Sequence, residues 1–216
     1  MKISFTTLTL VLVSALFLSA CSSTYYGAME RLGVHKRDIM VDRVEKARDA
    51  QEDGQQQFES ALEQFKSVVV VKPGDLQKIY DKLNDEYQDS LASAKNIRDR
   101  IASIEDVSGA LFDEWEDELG QYSSKTLRRD SEQKLRATRQ KYQQMIKLMK
   151  TSEKRMDPVL DAMEDQVLYL KHNLNTRAID SLRQEAISID SDVDKLVKAL
   201  QQSITEADNF IRTMKD

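Results

Sequence analysis

Apolar side chains recur at alternating intervals of four and three residues along most of this chain of 216 residues. The longest run begins at Leu76, Tyr80, Leu83 and Tyr87 and continues in the same rhythm to Trp115. This heptad spacing places one apolar side chain per turn on the same side of a helix, which must then pack along a seam against another helix. Only 6 glycines and 2 prolines interrupt the pattern, and such a composition is typical of long helices. The chain is therefore predicted to be all-α.

Breaks in the heptad pattern divide the chain into helices. Lys72-Pro73-Gly74-Asp75 ends the first stripe, because proline cannot continue a helix and glycine permits a reversal. A second reversal is predicted between Gly120 and Ser124, and Asp157-Pro158 marks either a new helix or a kink. Periodicity does not decide whether residues 175–190 form a loop or a helix. The pattern predicts an elongated antiparallel bundle of three or four long coiled-coil-like helices, at about 34–71, 75–119, 124–175 with the break or kink at 157–158, and 188–215.

Several seam positions carry residues that are too small or too polar for a continuous apolar core. They are Gln51, Gly54, Ser90 and Ser108. Gaps of this kind leave room for a helix of a partner protein, and they can equally line a cavity for a ligand.

The N-terminus has the features of a bacterial lipoprotein signal. Lys2 precedes an apolar run from Leu8 to Leu18, and Ser19-Ala20-Cys21 follows at once. The run is shorter than the ~20 residues that a membrane-spanning helix needs. We expect cleavage of residues 1–20, with the thiol of Cys21 as the nucleophile that accepts a diacylglyceryl group. A chance cysteine after an ordinary signal peptide is the alternative.

Residues 21–33 are expected to form the lipidated N-terminus and a short linker, followed by the helical bundle at 34–216. Acylation of Cys21 with more than one chain would give a stable attachment to a membrane. Ser22 after the cysteine resembles the sorting pattern for the outer membrane in enteric-type bacteria. The expected location is therefore the periplasmic face of the outer membrane, with the inner membrane as the alternative.

Charge and motif content exclude several functions. The net charge is -5, and removal of residues 1–20 takes away one base, Lys2, and no acid, which argues against binding of nucleic acid. No glycine-rich phosphate loop occurs, so no nucleotide is expected. His35 and His172 stand far apart and Cys21 is the only cysteine, so we expect no metal site, no catalytic residues and no cofactor.

The least ordinary segment is Asp165–Asn175. His172, Asn173 and Asn175 form a polar cluster in a region otherwise rich in Lys and Glu. One interpretation is a polar layer or helix distortion that fixes the register of the bundle. The other is a spot that binds a partner.

Three runs of the sequence resemble a known family. They are Tyr26-Gly-Ala-Met-Glu-Arg-Leu-Gly-Val-His-Lys-Arg-Asp, Ala110-Leu-Phe-Asp-Glu-Trp-Glu-Asp-Glu-Leu and Leu170-Lys-His-Asn-Leu-Asn. They are similar to the domain-of-unknown-function 2959 family of proteobacterial lipoproteins, over nearly the whole mature chain. The resemblance implies a location and a helical shape, and it transfers no functional residue.

These patterns together favour a non-enzymatic envelope protein. We expect a lipid-anchored helical rod that offers long polar faces to another envelope protein or to copies of itself. The alternative is a module that binds a small ligand or a lipid in the bundle core. A hydrolase of the cell wall is a third possibility, for which the chain offers only scattered pairs of carboxylates.

Overall fold

The computed structural model describes residues 20–67, 76–173 and 176–215, with side chains described for 25–67, 76–173 and 189–215. This part of the chain forms five helices and contains no strand. They are α1 (Ala20–Arg31), α2 (Lys36–Ser67), α3 (Leu76–Leu119), α4 (Lys125–His172) and α5 (Thr176–Lys215). The prediction of an all-α helical bundle is confirmed.

The four long helices close into a ring. α2 packs against α3 and α5, and α4 packs against the same two helices from the other side. Ion pairs show that neighbours run in opposite directions. Along α2 and α5 these are Lys215 with Glu45 and Lys66 with Asp190, and along α3 and α4 they are Arg139 with Glu116 and Lys150 with Glu105.

The core follows the heptad stripes. In α3 the buried positions include Leu83, Tyr87, Ala94, Ile97 and Ile101. They are separated by three, four or seven residues, as a heptad pattern requires. Each fully buried aliphatic side chain stabilises the fold by roughly 1.5–3 kcal/mol relative to an exposed one. Because all four long helices contribute such residues to one continuous cluster, the ring of helices packs around a single core.

The hairpin between α3 and α4 lies where the sequence predicted a reversal. α3 ends at Leu119, and α4 begins at Lys125 after Ser124, whose hydroxyl accepts a hydrogen bond from the amide of Leu127 at 3.4 Å. This N-cap satisfies an amide that the first turn of a helix otherwise leaves unpaired. The predicted reversal at 72–75 lies outside the described residues.

Pro158 lies inside the continuous helix α4. Proline removes one backbone hydrogen bond, to the carbonyl four residues earlier. Pro158 and Lys154 are both exposed, so water can solvate the carbonyl that is left unpaired. Met156 and Val159 are buried on the opposite side, and their packing holds the helix together across the proline.

The last helix begins earlier than its heptad stripe. The prediction placed it at 188–215 and left 175–190 undecided, whereas α5 starts at Thr176. The apolar stripe that begins at Ile189 therefore marks only the later part of α5.

The segment 21–33, expected to be a lipidated N-terminus and a short linker, is helical over most of its length, because residues 20–31 form helix α1. Gly33 ends this helix with a φ of +81°, a left-handed conformation that favours glycine. The amide of Gly33 donates to the carbonyl of Glu30 at 2.9 Å, and the amide of Val34 donates to the carbonyl of Met29 at 3.0 Å. These two bonds form a Schellman motif, after which the chain enters α2.

Candidate functional site

The proposed attachment point lies at the start of α1. Cys21 and Ser22 occupy the first turn of this helix. An anchor at Cys21 would therefore be joined to a helix rather than to an extended linker. How α1 is held against the bundle consequently decides where the anchor lies.

Tyr26 holds α1 against α2 and α3. Its side chain is only 1% exposed, and its hydroxyl donates a hydrogen bond to the carboxylate of Asp106. Arg43 donates to the same hydroxyl at 2.8 Å, to Asp106 at 3.1 Å and to the carbonyl of Ser103 at 2.6 Å. Residues from three helices therefore share one network of hydrogen bonds.

This network keeps Tyr26 neutral. Burial, followed by the hydrogen bond to Asp106, raises the pKa of Tyr26 to about 12, although Arg43 acts in the opposite direction. The guanidinium of Arg43 also lies over the ring, 5.4 Å from its centre, where the negative face of the ring attracts a cation. Tyr26 is therefore a structural clamp and not a group that exchanges protons at neutral pH.

Lys36 forms a second clamp at the end of α1. Its ammonium group donates to Glu30 of α1 and, at 2.7 Å, to Glu114 of α3. Burial alone would lower the pKa of Lys36, but the hydrogen bonds to Glu114 and Glu30 outweigh it and raise that pKa above its usual value. The lysine is therefore charged and links three helices.

A cleft of about 440 Å³ lies at the end of the bundle where α2 begins. Leu111, Trp115 and Met214 give it an apolar lining. Charged side chains of both signs also line it, namely Arg37, Lys134, Lys141, Glu114 and Glu118. The ring nitrogen of Trp115 donates to Ser131 at 2.8 Å, and this bond fixes the indole. The volume is within the range that small-molecule sites occupy.

The centre of the bundle contains a polar layer that the sequence did not predict. Gln51 donates through Nε2 to the hydroxyl of Ser152 at 3.0 Å and accepts through Oε1 from the hydroxyl of Ser203 at 2.9 Å. All three side chains are fully buried. Because they come from α2, α4 and α5, the layer aligns three helices in one register.

The small residues in the seams are occupied from within the chain. A Cβ atom added to Gly54 would lie 2.6 Å from Cδ1 of Ile97, so the glycine accommodates that isoleucine. Ser90 and Ser108 are buried too. The expected gap for a partner helix or a core ligand is therefore not found at Gln51, Gly54, Ser90 or Ser108.

A family model described as "Protein of unknown function (DUF2959)" matches residues 25–214. This chain belongs to the DUF2959 family. No curated protein and no solved structure matches it. The matched region begins at Tyr25, so it includes Tyr26 and the four long helices of the bundle.

In this DUF2959 protein the polar cluster near residue 172 lies at a helix end. α4 ends at His172, which is exposed, and the side chain of Asn173 donates to the carbonyl of Tyr169 at 2.9 Å. The amide of Asn173 also donates to the carbonyl of Leu170. His172 and Asn173 thus lie at the end of α4 and not in a buried layer, and Asn175 lies outside the described residues.

Among the described residues of the DUF2959 chain, no group of three or more His, Cys, Asp or Glu is placed to hold a metal ion. No helix within the same residues is long and apolar enough to cross a membrane.

Proposed function

We propose that this protein is a lipid-anchored component of the cell envelope that acts as a non-enzymatic structural or protein-interaction rod. The observation that carries the proposal is the position of Cys21. It follows an apolar segment in the sequence, and it opens a helix that Tyr26 clamps to the bundle. We further propose the periplasmic face of the outer membrane as its location, with Ser22 as the sorting residue.

The dimensions of the bundle favour a rod. α3 has 44 residues and α4 has 48, which correspond to lengths of roughly 66 and 72 Å at 1.5 Å per residue. Exposed ion pairs such as Lys95 with Asp99 and Lys134 with Asp130 line its outside. Isolated surface pairs of this kind add little stability, so they are free to serve recognition of another envelope protein or of a second copy.

Cross-linking in intact cells tests the interaction role. The lipidated protein, purified through a C-terminal tag, should carry a recurring covalently attached envelope protein, or a second copy of itself. Charge-reversing substitutions on one helix face should abolish that cross-link, whereas the same number of substitutions on another face should not. Absence of any recurring product would contradict the interaction role.

A second candidate function is binding of a small ligand or lipid. The cleft beside Trp115 favours it, because it combines an apolar lining with charged side chains of both signs, and so suits a molecule with an apolar part and a polar group. Native mass spectrometry of the protein extracted from membranes should then show an added mass. Replacement of Ala137, which lines the cleft, by Trp should abolish the added mass. The same replacement at Gln144, which lies outside the cleft, should leave the added mass unchanged.

A further inference from the structure

Helix α1 has two different faces. Tyr26 is buried, and Met29 packs against the core of the bundle. Tyr25, Ala28 and Leu32 point the other way: Tyr25 is 47% exposed, Leu32 in the turn after the helix is 78% exposed, and Ala28 is exposed as well. The inner face therefore docks on the bundle, while an apolar outer face meets the surroundings.

The proposed lipidation position shares that outer face. Position 21 precedes Tyr25 by four residues, Ala28 follows Tyr25 by three, and Leu32 follows Ala28 by four. Residues at such intervals lie one above another on the same side of a helix. Position 21 of the backbone therefore lies on the side of α1 that Tyr25 and Ala28 occupy, and Leu32 continues that side into the turn after the helix.

The direction of α1 places this face along the side of the bundle. Tyr26 contacts Arg43 of α2, and Glu30 contacts Lys36 at the start of α2. Helices α1 and α2 are therefore antiparallel. Cys21 lies about 15 Å from Arg31 at 1.5 Å per residue, so it is beside the bundle rather than beyond its end.

We infer that the outer face of α1 rests on a lipid surface, so that the bundle lies along the membrane with α1 between the lipid and helices α2 and α3. The inference rests on the proposed lipid anchor. Tyrosine is suited to the boundary between water and lipid, because its ring is apolar and its hydroxyl is polar. Exposed Arg31 at the end of α1 can meet anionic headgroups.

The alternative orientation is a bundle that stands on its end. A standing bundle would hold Cys21 and Leu32 at different heights above the membrane, since the helix between them runs along the bundle. The acyl chains could reach the lipid in that case only if the first turns of α1 unwound. The lying orientation keeps α1 helical and places Leu32 in contact with lipid.

Nitroxide labels on the full lipidated protein test the inference. Lipidation consumes the thiol of Cys21, the only cysteine of the chain, so one introduced cysteine is labelled specifically. The test positions are Ala28→Cys and Leu32→Cys, and the controls are Gln144→Cys on α4 and Gln202→Cys on α5, which are also exposed. The protein is reconstituted in vesicles of phosphatidylethanolamine and phosphatidylglycerol.

Oxygen, which concentrates in lipid, should relax the labels at positions 28 and 32 several-fold more strongly than a water-soluble nickel chelate does. The order should be reversed at positions 144 and 202. Equal exposure of all four labels to the chelate, in protein whose mass shows the acyl chains, would overturn the inference and leave the anchor intact. A mass without acyl chains would overturn the anchor and the inference together.

Energy transfer gives a second readout of orientation. A dye on Gln77→Cys marks the far end of α3, which is roughly 65 Å long, and an acceptor is carried on lipid headgroups. A lying bundle predicts strong transfer from this position. Weak transfer there, together with strong transfer from a dye on Leu32→Cys, would show a standing bundle and overturn the inference.

Discussion

The guanidinium of Arg43 donates a hydrogen bond of 2.8 Å to the hydroxyl of Tyr26 and lies over its ring. The two residues belong to α1 and α2, which the chain reversal at Gly33 brings side by side. Because the same arginine also bonds to Asp106 and to the carbonyl of Ser103 on α3, this contact ties the first helix to two others. The position of the proposed anchor relative to the bundle depends on it.

Replacement of Tyr26 by Ala should release α1 from the bundle. Truncation of a buried aromatic side chain costs about 3–5 kcal/mol, and an isolated helix of 12 residues is marginal in water. Hydrogen exchange should therefore speed up strongly in residues 25–31 and stay unchanged in α3 and α4. Tyr25→Ala, which truncates an exposed neighbour, is the control, and equal exchange in the two variants would refute the clamp.

High pH should loosen the same contact. The pKa of Tyr26 is raised to about 12 from an ordinary value of 10.0. Between about pH 10 and pH 12, Tyr26 therefore loses its proton when α1 is released from the bundle and keeps it when α1 is docked. The contribution of Tyr26 is thus fully present below pH 10 and declines as pH rises towards 12. The difference in ultraviolet absorbance between wild type and Tyr26→Phe should show one phenol that titrates near pH 12, and a titration near pH 10 would disagree.

Gln51→Ala should destabilise the bundle by about 2–4 kcal/mol. The substitution removes two hydrogen bonds worth roughly 0.5–1.5 kcal/mol each, and it leaves a cavity in a packed core. Gln56→Ala, five positions along the same helix and exposed, should change the free energy of unfolding by less than about 0.5 kcal/mol. Urea denaturation measures both, and similar values for the two variants would argue against the polar layer.

Gly54→Ala should behave differently in two backgrounds. Alanine favours a helix over glycine by roughly 1 kcal/mol, but its Cβ would meet Cδ1 of Ile97 at 2.6 Å. Ile97→Val removes that atom, so Gly54→Ala should be more stabilising in the Ile97→Val protein than in the wild type. A double-mutant cycle by thermal denaturation measures this coupling, and additive effects would contradict the close contact.

The sequence predicted the long helices well because their apolar residues follow one period. The stripe through Leu83, Ile97 and Ile101 reports directly which side of α3 is buried. The same reasoning missed α1, because its 12 residues, ACSSTYYGAMER, are too few to establish a repeating period. The position of α1 is fixed by hydrogen bonds of Tyr26 with Arg43 and Asp106. These residues are distant in sequence, so local periodicity does not predict the contact.

The polar layer shows a second limit of sequence reasoning. Gln51 was recognised as an interruption of its stripe, but its partners Ser152 and Ser203 lie 101 and 152 residues away. Such pairings depend on how the helices are aligned, which periodicity alone does not determine. Likewise, the composition around His172 and Asn173 marks a polar cluster, but only the fold shows that the two residues lie at the end of α4.

The mass of the N-terminal peptide of the protein isolated from its native membranes tests the proposed lipid anchor most directly. The expected chain begins at Cys21 and carries the mass of a diacylglyceryl group and a further acyl chain on that residue. Cys21→Ser should abolish both the added mass and the membrane association. A chain that starts at another residue, or one that starts at Cys21 with a free thiol, would contradict it.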